Sequence, residues 1–90
     1  MTNIEYFPEF PNDFRPIVEK YLNQFIEYTP DWCNEVSIDW DSTDDGNTCI
    51  YARIHYEYRR AVFTFCAAFF NQTPENQRSM VFHEFVHILS

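Results

Sequence analysis

Ten Phe, six Tyr and two Trp stand in a chain of ninety residues, so a fifth of the sequence is aromatic. A chain this short buries only about 60–65% of the surface that it exposes when unfolded. It must therefore fill one small core with large side chains, or borrow stability from disulfides, metals or partners. The rings supply that volume. A hydrophobic content of 46% with one Gly and five Pro excludes a disordered, collagen-like or low-complexity chain. Residues 1–90 read as one domain without a linker or repeat.

Charge and cysteine usage narrow the class further. Six basic and fourteen acidic residues give a formal net charge of −8. That balance opposes ordinary nucleic-acid binding, which relies on Lys and Arg to displace counterions. No apolar run approaches the roughly 18 residues of a membrane span, and MTNIEYFPEFPNDF has neither the basic nor the apolar region of a signal peptide. Cys33, Cys49 and Cys66 form no CxxC, and an odd count fits thiols in a reducing compartment. A small acidic cytoplasmic protein is expected.

The pattern along the chain predicts an α+β fold in the order α-β-β-β-α, a three-stranded antiparallel meander with an N-terminal and a C-terminal helix. Residues 1–12 are expected to be extended, because Pro8 and Pro11 oppose a helix, with Tyr6, Phe7 and Phe10 able to lie on the core. Asp13 suits an N-cap for a helix over 13–28 whose apolar stripe is Phe14, Ile17, Val18, Tyr21, Leu22, Phe25 and Ile26. The sheet is expected over 35–68. Val36, Ile38 and Trp40 alternate with polar residues, and Asp45-Gly46 signals a hairpin. A second strand from Thr48 to Tyr58 places Ile50, Ala52, Ile54, Tyr56 and Tyr58 on one face, and Ala61 to Cys66 reads as a buried third strand. Thr73 and Pro74 then open a helix over 74–90 that buries Val81, Phe85, Ile88 and Leu89.

That last helix holds the sharpest chemical signal, His83-Glu84-Phe85-Val86-His87. Residues four apart on a helix share a face, so two imidazoles at this spacing can reach one zinc ion at about 2.0–2.1 Å. Glu84 lies beside them, where it can accept a proton from a zinc-bound water. The plain alternative is two half-exposed histidines on an ordinary amphipathic helix.

The stretch RSMVFHEFVHILS resembles the active-site helix of the HExxH zincin metallopeptidases, of the small gluzincin-like or phage type. A preceding antiparallel sheet with an N-terminal helix is similar to the upper half of that fold. The resemblance implies zinc as cofactor, His83 and His87 as metal ligands, Glu84 as general base, and a peptide or protein substrate. It also implies a third ligand that the motif does not supply. Gluzincins take a Glu from a downstream helix and metzincins a further His, whereas here Ser90 follows His87 by three residues. Upstream, His55 reads more readily as a strand-surface residue and Cys66 as a buried thiol. A ninety-residue chain of this kind is expected to bind zinc weakly, to show little or no peptidase activity, and to expose apolar surface at its C-terminal end that a missing segment or a second chain, as in a homodimer through the C-terminal helix, would cover.

Six acids (Asp31, Glu35, Asp39, Asp41, Asp44, Asp45) and no Lys or Arg occupy residues 31–45. A calcium loop opening at Asp41 would need Glu at its twelfth position, which is Ala52, so an EF-hand is rejected. The segment is a solvated tip or a docking surface for a basic protein partner. Two classes of function follow: a zinc-dependent peptidase, or a non-catalytic acidic binding or inhibitor protein that occupies a basic surface.

Overall fold

The computed structural model describes residues 2–43 and 46–89. Along them run β1 (Asn3–Tyr6), α1 (Arg15–Phe25), β2 (Glu35–Asp41), β3 (Ile50–His55), β4 (Arg60–Cys66) and α2 (Pro74–Leu89), joined in part by 3-10 turns. The fold is α+β, with two α-helices and one sheet.

The sheet departs from the expected antiparallel meander in two respects. It has four strands in the order β1-β2-β4-β3, and it is mixed: only β3 and β4 run antiparallel. The added strand is β1, within the segment expected to be merely extended. The Asn3 N–H donates to Asn34 O and the Phe7 N–H to Ile38 O, both at 2.9 Å, fixing β1 beside β2. A strand that returns through a helix can lie parallel to its predecessor, as β1–α1–β2 does.

The same strand order replaces the expected hairpin between the first two strands of the meander. β2 and β3 are not neighbours, because β4 lies between them. Burial explains the order: Ala61 to Cys66 are buried on both faces, which suits a central strand, whereas β3 alternates between more and less exposed positions and takes the edge. Gly46 does use its conformational freedom at φ +75°, while Asp45 lies outside the described residues. β3 also ends earlier than expected. Tyr56–Tyr58 form a 3-10 turn, Arg59 reverses the chain at φ 55°, and Tyr56 and Tyr58 are exposed instead of lining the sheet.

Residues 12–28 are helical throughout, but as a 3-10 turn, α1 and a second 3-10 turn. Asp13 makes no capping bond because it sits inside the opening turn, not ahead of it. Val18, Tyr21, Leu22 and Phe25 of α1 pack with Val81, Phe85 and Ile88 of α2 on one face of the sheet, against Val36, Ile38, Phe63 and Phe65. Leu89 was expected in that core and is exposed. The inward arc of α2 is centred on Val81, Phe85 and Ile88, and Leu89 falls on its flank.

The other face of the sheet is closed by its own side chains. Arg53 meets Asp39 at 3.7 Å and Arg60 meets Glu35 at 3.6 Å. Tyr51 Oη donates to Asp41 Oδ2 at 3.2 Å, and Arg60 Nε donates to Ser37 Oγ at 3.0 Å.

Candidate metal centre

The site is built on α2, and the start of that helix is well defined. Thr73 Oγ1 accepts the Asn76 N–H at 3.2 Å, as an N-cap residue should, with Pro74 in the first turn. Gln77 then sets the helix against its neighbours. Its Oε1 accepts from Tyr21 Oη at 2.9 Å, and its Nε2 donates to Phe69 O at 3.1 Å, both within the interior. Phe85 packs edge-on against Phe63 at 5.0 Å between ring centroids. With its inward face fixed at both levels, α2 must turn His83 and His87 outward.

The two imidazoles converge. Their ring planes are perpendicular, their centroids 4.7 Å apart, and their Nε2 atoms 3.2 Å apart. Two nitrogens each about 2.0–2.1 Å from one ion, at a tetrahedral angle, lie about 3.3–3.4 Å from each other. The observed separation is close to that. Without an ion the same contact is a hydrogen bond in which one Nε2–H donates to the other Nε2.

Glu84 lies one residue round the helix and is only 8% exposed. Burial pushes its carboxyl above the ordinary range, and the neighbouring His87 and His83 pull in the opposite direction. Glu84 and His83 line a cleft of about 450 Å³ whose other wall comes from Asn47, Thr48, Cys49 and Ile50, at the start of β3. Ser79 and Met80 complete it on the helix side. His87 is outside this lining and reaches the site through its contact with the His83 ring.

Neither upstream candidate for a third ligand joins them. His55 ends β3 opposite Arg60, with its ring near Tyr58, at the far end of the strand from Ile50. Cys66 is buried in the central strand and outside the cleft lining. The thiol that does line the cleft is Cys49, which no spacing pattern in the sequence marks. Its position follows from the β3–β4 ladder, where the Cys66 N–H donates to Cys49 O at 2.9 Å. Among the described residues no three His, Cys, Asp or Glu side chains come together in a way that would hold an ion. Of the donors that a zinc ion takes, the structure brings together two, His83 Nε2 and His87 Nε2.

The acidic segment is less available than its composition suggests. Glu35, Asp39 and Asp41 face Arg60, Arg53 and Tyr51 within the sheet. Asp31 is exposed, and Asp44 and Asp45 lie outside the described residues. No helix is long and apolar enough to cross a membrane among the described residues.

Comparison with family models, with curated proteins and with solved structures gives no match in any of the three.

Proposed function

We propose that the chain is a zinc-dependent metallopeptidase of the HExxH type, with His83 and His87 as metal ligands and Glu84 as general base. The observation that carries this reading is the Nε2–Nε2 separation of 3.2 Å beside a buried carboxylate on the same helix. Zinc held there would polarise a peptide carbonyl and acidify a bound water. Glu84 has the position and the environment to take a proton from the attacking water and deliver it to the leaving amine. A carboxyl raised by burial is better matched to that exchange near neutral pH than an exposed one.

The cleft supports a peptide as the occupant. β3 is an edge strand, paired only with β4 among the described residues, and its first residue, Ile50, lines the cleft opposite His83. An extended peptide lying along such an edge makes main-chain hydrogen bonds while its alternate side chains enter the cleft. The acidic-binder reading draws on the net charge of −8, and the internal pairing of Glu35, Asp39 and Asp41 leaves it less surface to use.

The test uses three proteins and a quenched peptide library in the presence of zinc. The wild type should show slow hydrolysis. Glu84→Gln should keep the metal and lose hydrolysis, since the glutamate is not a ligand in this scheme, and His83→Ala should lose both. Hydrolysis by Glu84→Gln at the wild-type rate would refute the mechanism whatever the metal content.

A further inference from the structure

Cys33, Cys49 and Cys66 are all thiols, and the sheet brings two of them together. The β3–β4 ladder pairs Ile50 with Phe65, Ala52 with Phe63 and Ile54 with Ala61. Carried one step past the strand end, the same register sets Cys49 directly opposite Cys66, and the Cys66 N–H donates to Cys49 O at 2.9 Å. Directly opposed residues of an antiparallel pair project from the same face of the sheet. Cys33 is outside this pair. It precedes β2, where the Asn34 N–H donates to Arg59 O beside the start of β4, and the length of β4, about 20 Å, separates that end from Cys66.

The spacing at such a pair decides what the two thiols can do. Opposed residues that share a ladder hydrogen bond have Cα atoms about 5.5 Å apart, inside the range of a disulfide. Their Cβ atoms stand about 4.5–5.5 Å apart, against about 3.5–4.5 Å across an S–S bond, so the pair must close by about 1 Å. Cys49 is the member that can yield, because it lies ahead of Ile50, the first residue of β3, outside any strand or helix. Cys66 ends the central strand and is 1% exposed. A bond closed against such resistance is more oxidising than a structural disulfide, so small thiols can reopen it.

We propose that Cys49 and Cys66 form a thiol–disulfide switch at the wall of the cleft that His83 and Glu84 also line. The oxidant is a small disulfide such as oxidised glutathione. The partly exposed Cys49 loses its proton and attacks one sulfur of it, giving a mixed disulfide and one small thiol. Cys66 loses its proton in turn, attacks Cys49 Sγ and expels the second small thiol. Two protein thiols are oxidised, the small disulfide is reduced to two thiols, and these take up the two protons. Reduced, Cys49 lines the cleft; oxidised, its sulfur is bonded to Cys66, which lies outside the lining. The bond needs no metal and stands apart from the zinc reading.

The untagged chain, folded and without added metal, is equilibrated in glutathione buffers from fully reduced to fully oxidised, then alkylated and mapped by mass spectrometry. A Cys49–Cys66 bond should appear as the buffer becomes oxidising, with Cys33 still a thiol, and excess reduced glutathione should reverse it. The His83 ring resonance should shift between the two forms, since Cys49 shares its cleft. Cys66→Ala should stop at the mixed disulfide on Cys49, and Cys49→Ala should leave Cys66 unreacted. A wild type that keeps its thiols, or stops at the mixed disulfide, would overturn the proposal without reliance on any variant. So would a bond that involves Cys33 or a second chain, or a Cys49–Cys66 bond that leaves the His83 resonance in place.

Discussion

Glu84 sits where its own charge is disfavoured, and that has a consequence for stability as well as for chemistry. Burial raises its carboxyl in the folded chain relative to the unfolded one. The unfolded chain therefore ionises first as pH rises, and stability falls across the interval between the two values. Glu84→Gln has no such loss. It should be more resistant to urea than the wild type at neutral pH, with the difference shrinking at acid pH, where the wild-type carboxyl is protonated in both states. A variant less stable than wild type at neutral pH would mean that the carboxylate is held by favourable partners instead. Tyr6 offers a second test with the same sign. Its hydroxyl is buried with no hydrogen-bond partner among the described residues, and burial, with Glu19 nearby, pushes the phenol up from 10.0 to about 12. Below pH 10 the phenol is neutral in both states and its contribution is intact; between 10 and about 12 only the unfolded chain ionises, and stability falls. Tyr6→Phe should be neutral or stabilising by up to about 1 kcal/mol at pH 7. It should also flatten the alkaline limb of a stability–pH curve measured by denaturant unfolding.

At the scale of elements, α2 is held by a cap and one buried amide. Thr73→Ala removes the acceptor for the Asn76 N–H and should cost about 1 kcal/mol. Gln77→Ala leaves Phe69 O only the bond from the Gln72 N–H at 3.2 Å and Tyr21 Oη only a longer bond to Pro74 O at 3.3 Å, so two buried hydrogen bonds are lost at a cost of about 1–3 kcal/mol. Both are read by urea unfolding, and a larger loss for Thr73→Ala than for Gln77→Ala would reverse the argument. The same elements show what the sequence makes legible. The body of α1, the start of α2 and the outward pair His83 and His87 follow from apolar spacing, Thr73-Pro74 and the four-residue interval, all of them local. β1 was not legible as a strand, because four residues before Pro8 and Pro11 carry too short an alternation and their pairing depends on a crossover. The order of the sheet was hidden for a related reason. Asp45-Gly46 signals a local hairpin, and the burial of β4 on both faces outweighs it. Nothing in the sequence marks Cys49 as a cleft residue, because a thiol beyond a strand end belongs to no spacing pattern and only the β3–β4 ladder brings it to the cleft.

For the whole molecule, one layer of helices covers one face of a sheet whose opposite face is bridged by its own polar side chains. Stability should then be graded from β4 outward. Native-state hydrogen exchange should show the slowest amides in β4, flanked on both sides, and earlier exchange in β1 and at the free side of β3; slow exchange across β1 would contradict the assigned strand order. If α2 carries half of a tetrahedral metal site, the convergence of its two imidazoles must be seen in solution, and a zinc titration followed by the ring resonances of the three histidines decides this. His83 and His87 should shift together and saturate at one ion per chain with modest affinity, His55 should not move, and His83→Ala should abolish the response. If His83 and His87 shift independently, or if no saturable response appears, the convergence of the two rings is packing alone and the metal reading fails.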